Sequence, residues 1–132
     1  MKFTIRPQVN QTQTTSVAVV TDTGGIHALL LWNPSPRVIG ENTLSINFSD
    51  ALSGNRLNAD VNYDLSIRTG SGEEIVSKNN ITAINGISNQ TVSLPSEGIF
   101  NLEVEVKSLK ILNQTLPDTT RNGIARGFVV VS

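Results

Sequence analysis

The chain of 132 residues has no cysteine, one histidine, one tryptophan and one methionine. Without cysteine there is no disulfide, no thiolate metal site and no cysteine nucleophile. The redox compartment stays open. Charge is also sparse: ten basic and eleven acidic residues leave a net charge of −1. The basic residues are scattered, so nothing here attracts DNA, RNA or an anionic membrane, and no nucleic-acid partner is expected. Long apolar runs are missing too. The longest, Ala28 to Trp32, is strand-sized, far below the roughly 18 residues that a spanning helix needs. Met1-Lys2 leads straight into polar residues, so neither a signal peptide nor an anchor is expected within this chain. No segment of helical length repeats its apolar residues every 3.6 positions.

What is present is alternation. Asn58 to Arg68 switches between polar and apolar at every step, and Phe100 to Lys107 does the same. A period of two sends alternate side chains to a core and to water, as in a half-buried antiparallel sheet. Ala59, Val61, Tyr63, Leu65 and Ile67 are the expected inner face of the first segment. Leu102, Val104 and Val106 are that of the second. Further strands are expected at Ser16 to Thr21, Ile26 to Asn33, Glu41 to Asp50, Glu73 to Lys78, Ile81 to Ile84, Thr91 to Leu94 and Ile124 to Val131. Turn signals at Ser53-Gly54-Asn55, Thr69-Gly70-Ser71-Gly72, Asn85-Gly86 and Pro95-Ser96-Glu97-Gly98 separate them. Eight to ten short strands spaced about ten residues apart predict an all-β chain. The expected fold is an immunoglobulin-like antiparallel β-sandwich, with a closed barrel as the alternative. Trp32 is expected in the core, with Phe48, Tyr63, Phe100 and Phe128 supplying the remaining bulk.

Two regions are expected. Residues 1–24 form a polar arm with edge strands, including Lys2 to Arg6 around Phe3 and Ile5. Residues 25–132 form the sandwich, beyond the break at Gly24-Gly25. The arm pairs either with its own sheet or, by strand donation, with a neighbouring molecule. In the second case Phe3, Ile5, Val17 and Val19 would fill the neighbour's pockets.

Three segments carry a family resemblance. One is a proline loop followed by Gly40-x-Asn42-x-Leu44-x-Ile46. Another is Ser53-Gly54 leading into Val61-x-Tyr63-x-Leu65. The last is Gly98-x-Phe100-x-Leu102-x-Val104. Over residues 30–131 they resemble immunoglobulin-like domains of the YtkA/CopC type and archaeal surface proteins of similar length. The resemblance implies fold. Some members of that class hold copper through His and Met, but this chain offers only His27 and Met1. No metal site and no cofactor are expected.

The remaining chemistry is thin. His27 has no recognisable nucleophile and carboxylate at triad spacing, and there is no G-x-S-x-G elbow. Asp60, Asn62 and Asp64 open like a calcium loop, but Leu65 and Ser71 stand where glycine and the closing acid belong. Glu73 and Glu74 point to opposite faces of a strand, and Glu103 and Glu105 read as a charged outer face. Gly24-Gly25 and Gly70-x-Gly72 are turns, since no helix follows to bind phosphate. No catalytic residue is assigned and no enzyme is expected. Five Asn-x-Ser/Thr sequons, at Asn10, Asn47, Asn80, Asn89 and Asn113, are candidate glycosylation sites. They exceed the roughly three that this Asn-, Ser- and Thr-rich composition produces by chance. The chain reads as an extracellular, periplasmic or cell-surface domain. Its expected role is structural, adhesive or subunit-linking, with a protein partner or self-association. A ligand- or metal-binding module using the loops at one end is the alternative.

Overall fold

A computed structural model describes residues 16–33, 39–111 and 116–131. Phe3, Ile5, Asn10, Asn113 and the Pro34-Ser35-Pro36 loop lie outside those residues. The described chain forms eight strands: β1 (Ser16–Val20), β2 (Ile26–Asn33), β3 (Gly40–Asp50), β4 (Ala59–Arg68), β5 (Glu74–Ala83), β6 (Ile87–Leu94), β7 (Gly98–Ile111) and β8 (Gly123–Val131). They make two antiparallel sheets, β1-β2-β3-β6 (sheet A) and β5-β4-β7-β8 (sheet B). The chain crosses between sheets after β3, β5 and β6. Strands β2, β3 and β6 take the A, B and E places of an immunoglobulin-like sandwich, and β8, β7, β4 and β5 take G, F, C and C′. β1 is an added edge strand beside β2.

Alternation builds the core as expected. In β4, Ala59, Val61, Tyr63, Leu65 and Ile67 are all buried, facing buried Leu102, Val104 and Val106 of β7. Sheet A contributes Ile26, Ala28, Leu30, Trp32, Leu44, Ile46 and Phe48. Phe48 and Tyr63 meet between the sheets with ring centroids 5.3 Å apart, within the range of favourable tilted aromatic pairs. Each such buried side chain is worth roughly 1.5–3 kcal/mol relative to its exposed state.

Two expectations are corrected. Phe128 is 66% exposed and does not supply core bulk. The run Phe128-Val129-Val130-Val131 carries no polar marker, so its inner set is not readable from pattern. Ala125 sets the parity, and Val129 and Val131 follow it inward. The segments Glu73 to Lys78 and Ile81 to Ile84 belong largely to one strand, β5. A β-bulge at Asn79-Asn80, opposite Asp64, interrupts its alternation. Asn80 takes φ 57° there, and its N–H donates to Asp64 Oδ1 at 2.9 Å. The extra residue moves the inner set from Val76 to Ile81 and Ala83. Another register shift, between Asn62 and Tyr63 of β4, does the same to β7 and turns Leu109 inward. Gly24-Gly25 is the turn of a β1–β2 hairpin within sheet A, so β1 pairs with its own sheet, one of the two alternatives for the arm.

That turn explains why residues 16–25 sit on their own body. Gly24 has φ 84° and Gly25 φ 63°. A Cβ on Gly24 would lie 2.2 Å from the Arg121 carbonyl oxygen, so this position requires glycine. Arg121 donates from Nε to Gly24 O at 2.7 Å and from Nη2 to Gly25 O at 2.8 Å. Thr21 bridges Ala125, and the Asp22 N–H donates to Ile124 O at 2.9 Å. β1 is thereby tied to β8 as well as to β2.

Candidate functional site

Inner faces of sheets make the core, so any site must come from outer faces, edges and end loops. The outer face of sheet B is charged. Arg68 reaches Glu74 at 3.1 Å and Glu103 at 3.4 Å. Arg126 reaches Glu103 at 3.3 Å and Asp22 at 3.5 Å. The result is an ion ladder running across β5, β4, β7 and β8 to the loop after β1. Beside it lies an apolar patch. Ile99 of β7 pairs with Val130 of β8, and Phe128 stands two residues before Val130. Ile99 is 63%, Phe128 66% and Val130 46% exposed. Three large apolar side chains on one exposed strand pair are the kind of surface that marks an interaction site. A depression of about 350 Å³ adjoins it, lined by Arg68, Asn101, Glu103, Arg126 and Phe128.

A second concavity lies at the end of sheet A. His27, Leu29, Ser49, Arg56 and Ile87 line a cleft of about 310 Å³. His27 Nδ1 is 3.5 Å from Ser49 Oγ. No acid completes a catalytic triad in this lining. Elsewhere the candidate carboxylates have structural work. Asp60 Oδ1 accepts from the Asn85 N–H at 3.0 Å, and Asp64 is 3.5 Å from Lys107 Nζ. Glu103 belongs to the ion ladder. Among the described residues no group of three or more His, Cys, Asp or Glu is placed to hold a metal ion.

Titration is perturbed mainly at the loop acids. N–H donation from Ile124 holds Asp22 below its ordinary value of 3.8. N–H donation from Leu52 and Ser53 does the same for Asp50. The Thr120 hydroxyl and N–H lower Asp118. Burial raises the Tyr63 phenol above its ordinary value, opposed by its hydrogen bond with Ser88. Loop capping and core packing account for these shifts.

The sequence-predicted residues are dispersed. Val19 is buried, 8% exposed, in this chain's own core, and Val17 is 37% exposed on the same strand. Asn47 and Asn89 project from the outer face of sheet A, where Ser45 donates to Asn89 Oδ1. Asn80 is exposed at its bulge. The apolar patch escapes sequence reasoning because composition alone places Phe128 inward. Its signal is the absence of alternation in the last strand. No family model matches the chain, and no curated protein or solved structure matches it.

Proposed function

We propose that this chain is a non-catalytic, extracytoplasmic β-sandwich with a structural, adhesive or subunit-interaction role at the cell surface. The observation that carries the reading is the exposed Ile99–Phe128–Val130 patch on an edge strand pair. Burying such a patch against a partner gains roughly 25 cal/mol per Å² of apolar surface, while the flanking ion ladder supplies orientation. Sequons at Asn47, Asn80 and Asn89 on exposed or half-exposed strand positions support an extracytoplasmic setting. The test is to replace Phe128 with photo-reactive benzoylphenylalanine in the producing cell. A covalent adduct recovered in the cell envelope is expected. Recovery in the cytoplasm with no adduct would overturn the reading.

A ligand module is the second reading, and the cleft lined by His27 and Arg56 favours it. Titration of Cu²⁺, Zn²⁺ and small carboxylates, followed at the His27 ring by NMR, separates the two. Sub-micromolar binding lost in His27→Ala would establish the module.

A further inference from the structure

Among the described residues the sandwich has four edge strands, β1, β6, β5 and β8, and β5 and β8 each carry a device that discourages pairing. β5 has the Asn79-Asn80 bulge and the charged residues Glu74 and Lys78. β8 is bridged along part of its free side by Thr21 and Asp22. Short length, bulges, charges and coverage are the means by which natural sheets protect their edges. Among the described residues β6 has none of them. Its eight residues, Ile-Ser-Asn-Gln-Thr-Val-Ser-Leu, contain no charge, proline or glycine. Its pairing with β3 runs from Asn47–Ile87 to Gly40–Leu94 without a register shift. No described strand pairs with its other side.

We infer that β6 is a self-association edge, pairing antiparallel with β6 of a second copy across a two-fold axis. The inference rests on the proposed function, that this domain works through protein contacts. Charge selects the occupant. A two-fold axis brings identical side chains together, so a charged edge would repel itself, whereas β6 is neutral throughout. Parity limits the register to two-folds centred on a residue. Ile87, Asn89, Thr91 and Ser93 face outward, while Ser88, Gln90, Val92 and Leu94 face inward. Residues opposite each other in an antiparallel pair share a face. A two-fold centred on Gln90 satisfies this: Asn89 meets Thr91 of the second copy, and Ser88 meets its Val92. Sheet A then continues through both molecules. The Asn89 sequon sits at the centre of this contact, so a glycan there would crowd Thr91 of the second copy on the outer face.

The test uses the full chain produced without glycosylation. Light scattering across a concentration series should give twice the chain mass. The double variant Asn89→Lys, Thr91→Lys sets lysines of the two copies against one another at solvent-exposed positions. It should be monomeric, with an unchanged circular dichroism spectrum. In this cysteine-free chain, Thr91→Cys places two thiols at diagonal positions, with Cβ atoms about 7–8 Å apart or less. A short bismaleimide should join them into a covalent dimer. A wild-type chain that stays monomeric at millimolar concentration overturns the inference; the Phe128 photo-crosslink then decides separately whether the protein-contact reading survives. A dimer that persists in the lysine variant also overturns it, and leaves self-association through another surface.

Discussion

Sheets A and B are alike inside and different outside. Both bury aliphatic and aromatic side chains at alternate positions to near zero exposure. In the strands of sheet A the charged residues are Glu41 and Asp50, whereas those of sheet B carry Asp60, Asp64, Arg68, Glu74, Lys78, Glu103, Glu105, Lys107, Lys110 and Arg126. Sheet A pairs without a register shift, and sheet B shifts register at three places. Stability therefore resides in the shared inner faces. The outer faces are free to differ, and the ion ladder lies on that of sheet B alone.

The largest effects should be equal in the two sheets. Ile46→Ala in sheet A and Leu65→Ala in sheet B remove side chains that are 0% and 1% exposed. Each is expected to cost about 2–5 kcal/mol in urea melts. A change below about 1 kcal/mol at either site would show that the sheets do not share one core. Tyr63→Phe probes the polar seam between them. It deletes the donor of the 2.7 Å bond to Ser88 Oγ, while Gln90 Nε2 still donates to that oxygen at 3.0 Å. The expected loss is about 1 kcal/mol, with the Phe48 contact retained by near-UV circular dichroism.

Outer-face changes should be smaller. Arg126→Ala breaks two contacts of the sheet B ladder at a side chain 58% exposed. The cost should stay under about 1 kcal/mol and shrink in concentrated salt. A larger, salt-independent loss would show that the ladder holds sheet B together.

Acid should separate the loops from the core of both sheets. Asp22, Asp50 and Asp118 have folded-state values below 3.8. Their contribution is therefore complete above the unfolded value and is lost as pH falls below 3.8 through the folded values. Asp22 and Asp50 hold the end where β1, β2 and β8 meet, Asp50 through Arg121 at 3.6 Å. Amide exchange at Thr21 and Ile26 should rise before that of Val61 and Leu65 as pH is lowered. Asp50→Asn should flatten the acid dependence of the melting temperature.

Strands are most legible where one face is wet. The polar partners of Val61, Tyr63 and Leu65 mark register residue by residue, because water selects Asn62 and Asp64 on the other side. β2 is legible as a strand and as the Trp32 anchor, although Leu29 and Leu31 stand half-buried on its outer face. Legibility fails at bulges. Asn79-Asn80 and Lys107-Ser108 add a residue and invert parity, so a strict period of two misassigns the residues beyond them. It fails again at β8, where Phe128 and Val129 are equally apolar and the pairing with β7 decides which turns inward.

An all-β chain, the inner faces of β4 and β7, and the glycine and asparagine turns are written in the sequence directly. They depend on nearest-neighbour alternation and backbone conformation, which are local properties. The division of strands between sheets, the closing of the Gly24-Gly25 hairpin under the Arg121 clamp and the outward turn of Phe128 come only from the assembled fold. So does the set of edges left to pair. These depend on which distant segments meet, and a charge or bulge protects an edge only once the sheet has placed that strand at its border.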